Sequence, residues 1–497
     1  MSVCEKRSST EGETAQIHPK ESKLPIVKLI GVGLGVLLIL AGNFILRSKL
    51  EATPLPPYHV FPEDRVPLSW ELLLPVDMGE ASDDPNYKST YFWFTTGVTV
   101  IKLLEQVFSP NQVYYFLSAL LIVCSFTFSW LMFRSVIFSY TLAICMGFGT
   151  QFHWLHVCSS LVAHLLFMIY LEANLLCVWK IIQTGARAWK VAFTGSLLVT
   201  ALCHEQWLDY FGYLTLASLF LLLFARRIQM PEFKPRILYV LLMSWAIAIV
   251  YLVIRLSYGR QQYRPGYEAE MIFTYRNPVM ALEDFLSNVM TYLYIAFSNY
   301  FPPFMISSNS LYQVGADRII EEQHGYHSAQ THLVVMHHVF YWYFWAGIVC
   351  AIYGYYFWRN GKKSLQEGSV YHACFFLAML LIACGFAVHS VIKYRPYLSV
   401  PLLAYKCVVS NLGVALLLSG CLMQLGEWMP RWQRLRMALI LFVWGVIVYG
   451  AIARPQYLSH LGRLVGLSEL PNPRRNLHLP RLPSSPSSNN ETVQENR

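Results

Sequence analysis

Charge is what this chain has least of. Only 13% of its 497 residues are Asp, Glu, Lys or Arg, about half the share of an ordinary soluble domain. Hydrophobic residues make up 55%, and mean hydropathy is +0.40. That balance excludes a soluble globular enzyme, and with it any domain count from length; one polytopic membrane bundle with loops is the simplest accounting. Paired cysteines are missing too. None of the 11 Cys forms a C-x-x-C, and most lie in or beside apolar runs (Cys124, Cys145, Cys158, Cys177, Cys203, Cys350, Cys374, Cys384, Cys407, Cys421). They read as small core residues rather than disulfides or metal ligands. No P-loop or other nucleotide-binding pattern occurs. No small-residue cleavage site follows the first apolar segment, PIVKLIGVGLGVLLILAGNFIL at 25–46, so it reads as a retained anchor and not a signal peptide. No internal repeat relates the halves and no paired Gly/Pro-broken spans occur, features that many transporters have.

What the chain does have is apolar runs. A span needs about 20 residues, and the runs predict crossings near 25–46, 111–133, 136–157, 159–181, 190–204, 207–225, 237–256, 333–357, 371–392, 399–424 and 437–453. The fold class expected is an all-α membrane protein, a polytopic bundle of about eleven transmembrane helices. Amphipathic surface helices are expected in its long outer loops, at 90–108 and 283–304, because Lys102, Glu105 and Pro302 sit poorly in hydrocarbon. Three regions follow: a cytoplasmic tail at 1–24, a multi-span domain at 25–453 with long outer loops at 47–110 and 257–332, and a disordered tail at 454–497 rich in Pro, Ser and Asn.

Short-loop Lys and Arg stay on the cytoplasmic side. With the N-terminus inside, every second connection is basic: Arg134, then Lys180/Arg187/Lys190, Arg226/Arg227/Lys234/Arg236, Arg359/Lys362/Lys363 and Arg431/Arg434/Arg436. The outer turns at 151–160 and 204–209 carry no Lys or Arg. The basic tail residues Arg454, Arg463, Arg474 and Arg475 break the pattern, since eleven spans put them outside.

Polar groups gather on the outer side of this topology. HEQWLD supplies His204, Glu205 and Asp209 in a hairpin turn between two apolar runs; such a turn needs polar residues, so it serves equally as a solvated corner or as part of a site. QFHWLHVCSS supplies His153 and His156, and VDMGEASDD crowds Asp77, Glu80, Asp83 and Asp84 into the first outer loop, where acidic residues are also at home simply as solvated groups. The spacing of His153, His156 and His164 comes with no carboxylate or Cys partner of a recognised metal pattern, so no metal site is assigned. Lys393 and Arg395, in HSVIKYRP, stand out as cations in a short outer turn. Such cations have an anionic partner as a rule, and a guanidinium fork suits a lipid phosphate.

An inside N-terminus, about eleven spans, a long acidic outer loop after the first, a second long outer loop after the seventh and a basic K-Y-R-P element before a late span together resemble the C-type multi-span glycosyltransferases. Protein O-mannosyltransferases and bacterial lipid-linked sugar transferases have the nearest layouts. The resemblance is architectural and covers most of 25–453; the superfamily's Asp-Glu pair is absent, with Asp77, Glu80, Asp83 and Asp84 in its place and a reversed Glu63-Asp64. It implies transfer of a sugar from a polyprenyl-phosphate donor to an acceptor on the extracytoplasmic face. One of the four carboxylates would be the general base of an inverting displacement, and Lys393 and Arg395 would hold the departing phosphate beside His204, Glu205, Asp209 and His153 as substrate-binding residues. Its implied partners are membrane lipids and a lipid-linked donor, with room for a divalent metal ion and no nucleic acid; a bacterial inner membrane is favoured over the endoplasmic reticulum. The competing class is a multi-pass transporter or lipid flippase, which accounts for the spans and polar groups without a catalyst.

Overall fold

Hydrogen-bond economics in a membrane leave an apolar chain two choices, helices or a closed barrel, and this chain takes the first. In a computed structural model of the protein the described residues are 26–52, 95–149, 159–203, 206–227, 233–259, 371–385 and 407–464, with isolated residues between 277 and 300 and residues 355 and 359. Among them no strand occurs. The helices are α1 (Ile26–Ala52), α2 (Thr95–Glu105), α3 (Pro110–Phe133), α4 (Val136–Phe148), α5 (Ser159–Thr184), α6 (Arg187–Cys203), α7 (Trp207–Arg227), α8 (Phe233–Gly259), α9 (Tyr371–Cys384), α10 (Val408–Trp428) and α11 (Gln433–Leu464). Seven, namely α1, α3, α5, α7, α8, α10 and α11, are long and apolar enough to cross a membrane. The chain is a multi-pass integral membrane protein.

The turns show why the sequence breaks where it does. Ser109 caps α3 with a reciprocal box: its Oγ accepts from Gln112 N at 3.3 Å, Gln112 Oε1 accepts from Ser109 N at 2.9 Å, and Pro110 opens the helix. Arg134 ends it in a left-handed conformation (φ 52°), and Ser135 Oγ at once caps α4 by accepting from Phe138 N at 3.3 Å. Gly185 makes the tight turn from α5 to α6 at φ +68°, where only glycine is unstrained.

Named contacts fix which helix ends lie together. The Tyr140 hydroxyl donates to Val32 O at 2.9 Å and Asn43 Nδ2 donates to Gly147 O, so α1 and α4 run parallel. Phe133 meets Trp179, with ring centres 5.7 Å apart, and Ser125 meets Glu172, so α3 and α5 are parallel. Phe220 stacks on Phe376 at 4.1 Å while Asp209 lies within electrostatic reach of Cys384, so α9 is antiparallel to α7. A Cβ at Gly413 would meet Ile382 and the Ala378 carbonyl, so α10 returns hard against α9. One end of the bundle therefore collects Arg134, Lys180, Lys190, Lys234, Arg236 and Arg434; it is called the inner end here. The outer end carries Arg47, Lys102, Glu105 and Asp209. This separation matches the alternation expected from short-loop cations.

α4 is the most enclosed element, with all but three of its thirteen residues buried between Val136 and Phe148. Thr141 Oγ donates to Ile137 O at 2.7 Å and accepts from Trp444 Nε1 of α11 at 3.0 Å. The hydroxyl thus both donates within its helix and accepts from another, as a buried polar group requires.

Of the eleven expected crossings, seven coincide with the long apolar helices and three with shorter helices among the described residues. The run at 136–157 becomes α4, which ends at Phe148 because Gly149 leaves helical geometry (φ −59°, ψ 130°). The run at 190–204 is the 17-residue α6, and that at 371–392 is the 14-residue α9; 333–357 falls outside the described residues. The surface placements also change. α2, the helical part of 90–108, is not laid loosely on a surface: Gly97 backs onto Ala163 and Cys203, and Ile101 is buried. Of the stretch 283–304, Tyr292, Ala296, Asn299 and Tyr300 are buried. Asn299 Nδ2 donates to Asn411 Oδ1 at 3.0 Å and the Tyr300 hydroxyl donates to Asn411 O at 2.9 Å. Polar groups that would sit badly in lipid satisfy one another inside the protein instead.

Candidate functional site

The last turn of α4 presents carbonyl oxygens with no partner in their own helix, and with them the negative end of its dipole. Two side chains one turn apart on α1 reach them. Asn43 donates its amide to Gly147 O and accepts from Ser118 Oγ at 3.1 Å. Arg47 donates from Nη2 to the same Gly147 O at 3.3 Å, and its guanidinium carbon lies 5.1 Å above the Tyr114 ring. The Asn43–Arg47 spacing of four is the reason both face α4.

Arg47 is only 1% exposed, and its Nε and Nη1 make no hydrogen bond. Capping α4 needs only one edge of the fork. Nε and Nη1 carry three of the five N–H groups and make no hydrogen bond among the described residues, the Tyr114 side chain being the group the guanidinium faces, and a buried guanidinium without an anion is costly. The planar arrangement of Nε and Nη1 suits two oxygens of a phosphate or carboxylate. The site is at the outer end, on the helix that leads into the loop bearing Asp77, Glu80, Asp83 and Asp84.

Asp209 is the one sequence-selected residue within the described chain. It lies in the first turn of α7, 1% exposed, where the helix dipole favours a carboxylate, and close enough to Cys384 at the end of α9 to act on its thiol. Gln206, Trp207 and Tyr210 around it are buried, so HEQWLD is packed into the bundle at its Asp end. Asp77, Glu80, Asp83, Asp84, His153, His204, Glu205, Lys393 and Arg395 lie outside the described residues.

Two buried polar groups escaped the sequence reading. Arg47 directly follows the anchor run 25–46; the string GNFILR, with Asn43 and Arg47 four apart, is the signal for it. Glu172, inside the span YLEANLLC, is 3% exposed; Oε1 accepts from Ser125 Oγ at 2.7 Å and Oε2 is buried without a hydrogen bond. A lone acid inside a span is itself a functional signal. Two residues on, Asn174 Nδ2 donates to Thr200 Oγ at 2.7 Å and ties α5 to α6.

Neither a protein-family model nor a curated protein matches this chain.

Proposed function

We propose that the protein is a membrane glycosyltransferase that moves a sugar from a polyprenyl-phosphate donor to an acceptor hydroxyl at the outer end of an eleven-span bundle. The observation that carries this is Arg47: a buried guanidinium at the outer end whose Nε and Nη1 are left without a hydrogen bond among the described residues. A donor held in the bilayer by its polyprenyl chain brings its phosphate to that depth. A carboxylate among Asp77, Glu80, Asp83 and Asp84 takes the acceptor proton while the acceptor oxygen attacks the anomeric carbon. The carbon–oxygen bond to phosphate breaks with inversion, and the negative charge that grows on the leaving phosphate is met by Arg47 together with Lys393 and Arg395.

A second reading, transport or lipid translocation without chemistry, is favoured by Glu172, an acid in mid-span with an unused oxygen.

Purified protein in vesicles, given a polyprenyl-phosphate donor with a labelled sugar and an acceptor extract, separates the two. Transfer of label to acceptor, with Arg47→Lys reducing turnover more than tenfold at unchanged protein level, supports the transferase. Net movement of label across the vesicle membrane with no new glycosidic bond supports the second reading and ends the first.

A further inference from the structure

The inner half of the bundle holds an apolar cavity between α3, α5, α7 and α8, floored by α9 and α10, with Phe133, Trp179, Ile182, Ala217, Phe224 and Ile237 among its walls. Three features show what fills it. Its walls are almost wholly hydrocarbon, so water gains little there and an acyl chain fits. Cations stand next to its inner end along the chain: Arg134 follows the wall residue Phe133, Lys180 follows Trp179 and Lys234 follows Phe233. Arg134 and Lys180 are within electrostatic reach of each other; Lys180 Nζ donates to Gln183 Oε1 at 3.5 Å, and neither cation has a carboxylate partner among the described residues. Two cations held side by side are unfavourable unless an anion lies between them. The third feature is a polar atom within the greasy wall: Trp179 Nε1 is buried and donates to nothing among the described residues. An indole N–H adjacent in the chain to Lys180 matches the ester and phosphate oxygens of a phospholipid at the membrane interface.

We propose that this cavity is a binding site for an anionic phospholipid of the inner leaflet, one acyl chain between α5, α7 and α8 and the phosphate on Arg134 and Lys180. Arg236 is not part of it. Its Nη1 is committed to the Ile182 and Gln183 carbonyls at 2.7 and 2.8 Å, where it caps α5 and stiffens the wall. The site is at the opposite end of the bundle from Arg47 and does not depend on the transferase assignment.

The test is native mass spectrometry of the full chain, purified in mild detergent and mixed with equal amounts of phosphatidylglycerol and phosphatidylcholine of identical chains. The wild type is expected to retain phosphatidylglycerol at least fivefold over phosphatidylcholine. Arg134→Gln with Lys180→Gln should remove that preference while leaving the protein folded by circular dichroism. Ala217→Phe, which fills the cavity from α7, should lower retention of both lipids. Leu221→Phe serves the same purpose should the Ala217 variant fold poorly. Quenching of Trp fluorescence by brominated-chain phosphatidylglycerol, diminished in Trp179→Phe, locates the chain. Equal retention of the two lipids by the wild type, or a preference unchanged in the double Gln variant, overturns the proposal.

Discussion

Ser125 Oγ lies 2.7 Å from Glu172 Oε1 and also 2.7 Å from the carbonyl oxygen of Leu121 in its own helix. A hydroxyl has one hydrogen to give, and two acceptors claim it. A second hydrogen, from a carboxylic acid O–H or an amide N–H at position 172, lets both contacts stand as hydrogen bonds. Glu172→Gln is therefore expected to unfold in detergent at nearly the wild-type temperature. Glu172→Ala should lose about 2 kcal/mol or more through the cavity and the broken link between α3 and α5. Equal losses in Gln and Ala would discard the hydrogen-sharing account.

Asn43 joins three helices, since it donates to Gly147 O of α4 and accepts from Ser118 of α3. Asn43→Ala should cost about 1–3 kcal/mol, because it strips a hydroxyl and part of a carbonyl of their partners at once. Ser118→Ala should cost about 1 kcal/mol, and the double variant less than the sum, with a coupling of at least about 0.5 kcal/mol. Denaturant titration of the four proteins completes the cycle; strictly additive losses would show that the contact carries no energy.

Glycine has two opposite roles here. A Cβ at Gly413 would lie 2.7 Å from Ile382 Cγ1 and 2.9 Å from backbone atoms of Ala378 and Ile382, whereas one at Gly420 would meet nothing within 4 Å. Gly413→Ala should push α10 from α9 and destabilise by about 1–3 kcal/mol, as overpacking does. Gly420→Ala on the same helix should be neutral or gain up to about 1 kcal/mol from helix propensity. Thermal midpoints of the two variants measure the contrast, and a Gly413→Ala protein as stable as wild type would mean the helices are free to separate there.

Which end faces out is open to labelling. Phe108 and Trp432 are both exposed, the first beside the start of α3 and the second beside the start of α11. In intact cells an impermeant thiol reagent is expected to modify Phe108→Cys and to reach Trp432→Cys only after permeabilisation. Seven of the native cysteines are buried or half-buried, and the other four, Cys4, Cys158, Cys350 and Cys374, are replaced by Ser beforehand to keep the background low. The reverse pattern would turn the bundle over and remove the outer-face site.

Helix identity and end-to-end polarity were legible because they rest on strong signals. An unbroken apolar run of about 20 residues satisfies its backbone in lipid as a helix, without the alternation a barrel strand needs, and Arg134, Arg236 and Arg434 all gather at one end as the short loops required. Helix length was less legible. In VIFSYTLAICMGFGTQFHWLH the apolar character runs past Gly149, but the backbone leaves the helix there, and composition does not report a backbone change. The buried polar sites were least legible. Sequence attention went to clusters of charge in loops, where charge is cheap. The informative residues are single ones inside apolar helices: Arg47 four residues after Asn43, and Glu172 alone in its span. Asp209 was singled out, but its burial beside Cys384 depends on the antiparallel pairing of α7 with α9, a long-range contact no local pattern encodes.

The brevity of α4 bears on how the molecule is made. Thirteen residues rise about 20 Å, against about 30 Å of hydrocarbon, so lipid alone does not hold this segment in register. It depends on chaperoning by its own neighbours, and one of them arrives late: Trp444, which donates to Thr141, is synthesised 303 residues afterwards. Until α10 and α11 are made, α4 is a passenger seated on α1 and α3, with the flanks those two helices cover still open. Ribosomes stalled before residue 433 should display a biogenesis intermediate whose open flank is a docking place for membrane insertion factors, and the arrival of α11 is the step that dismisses them.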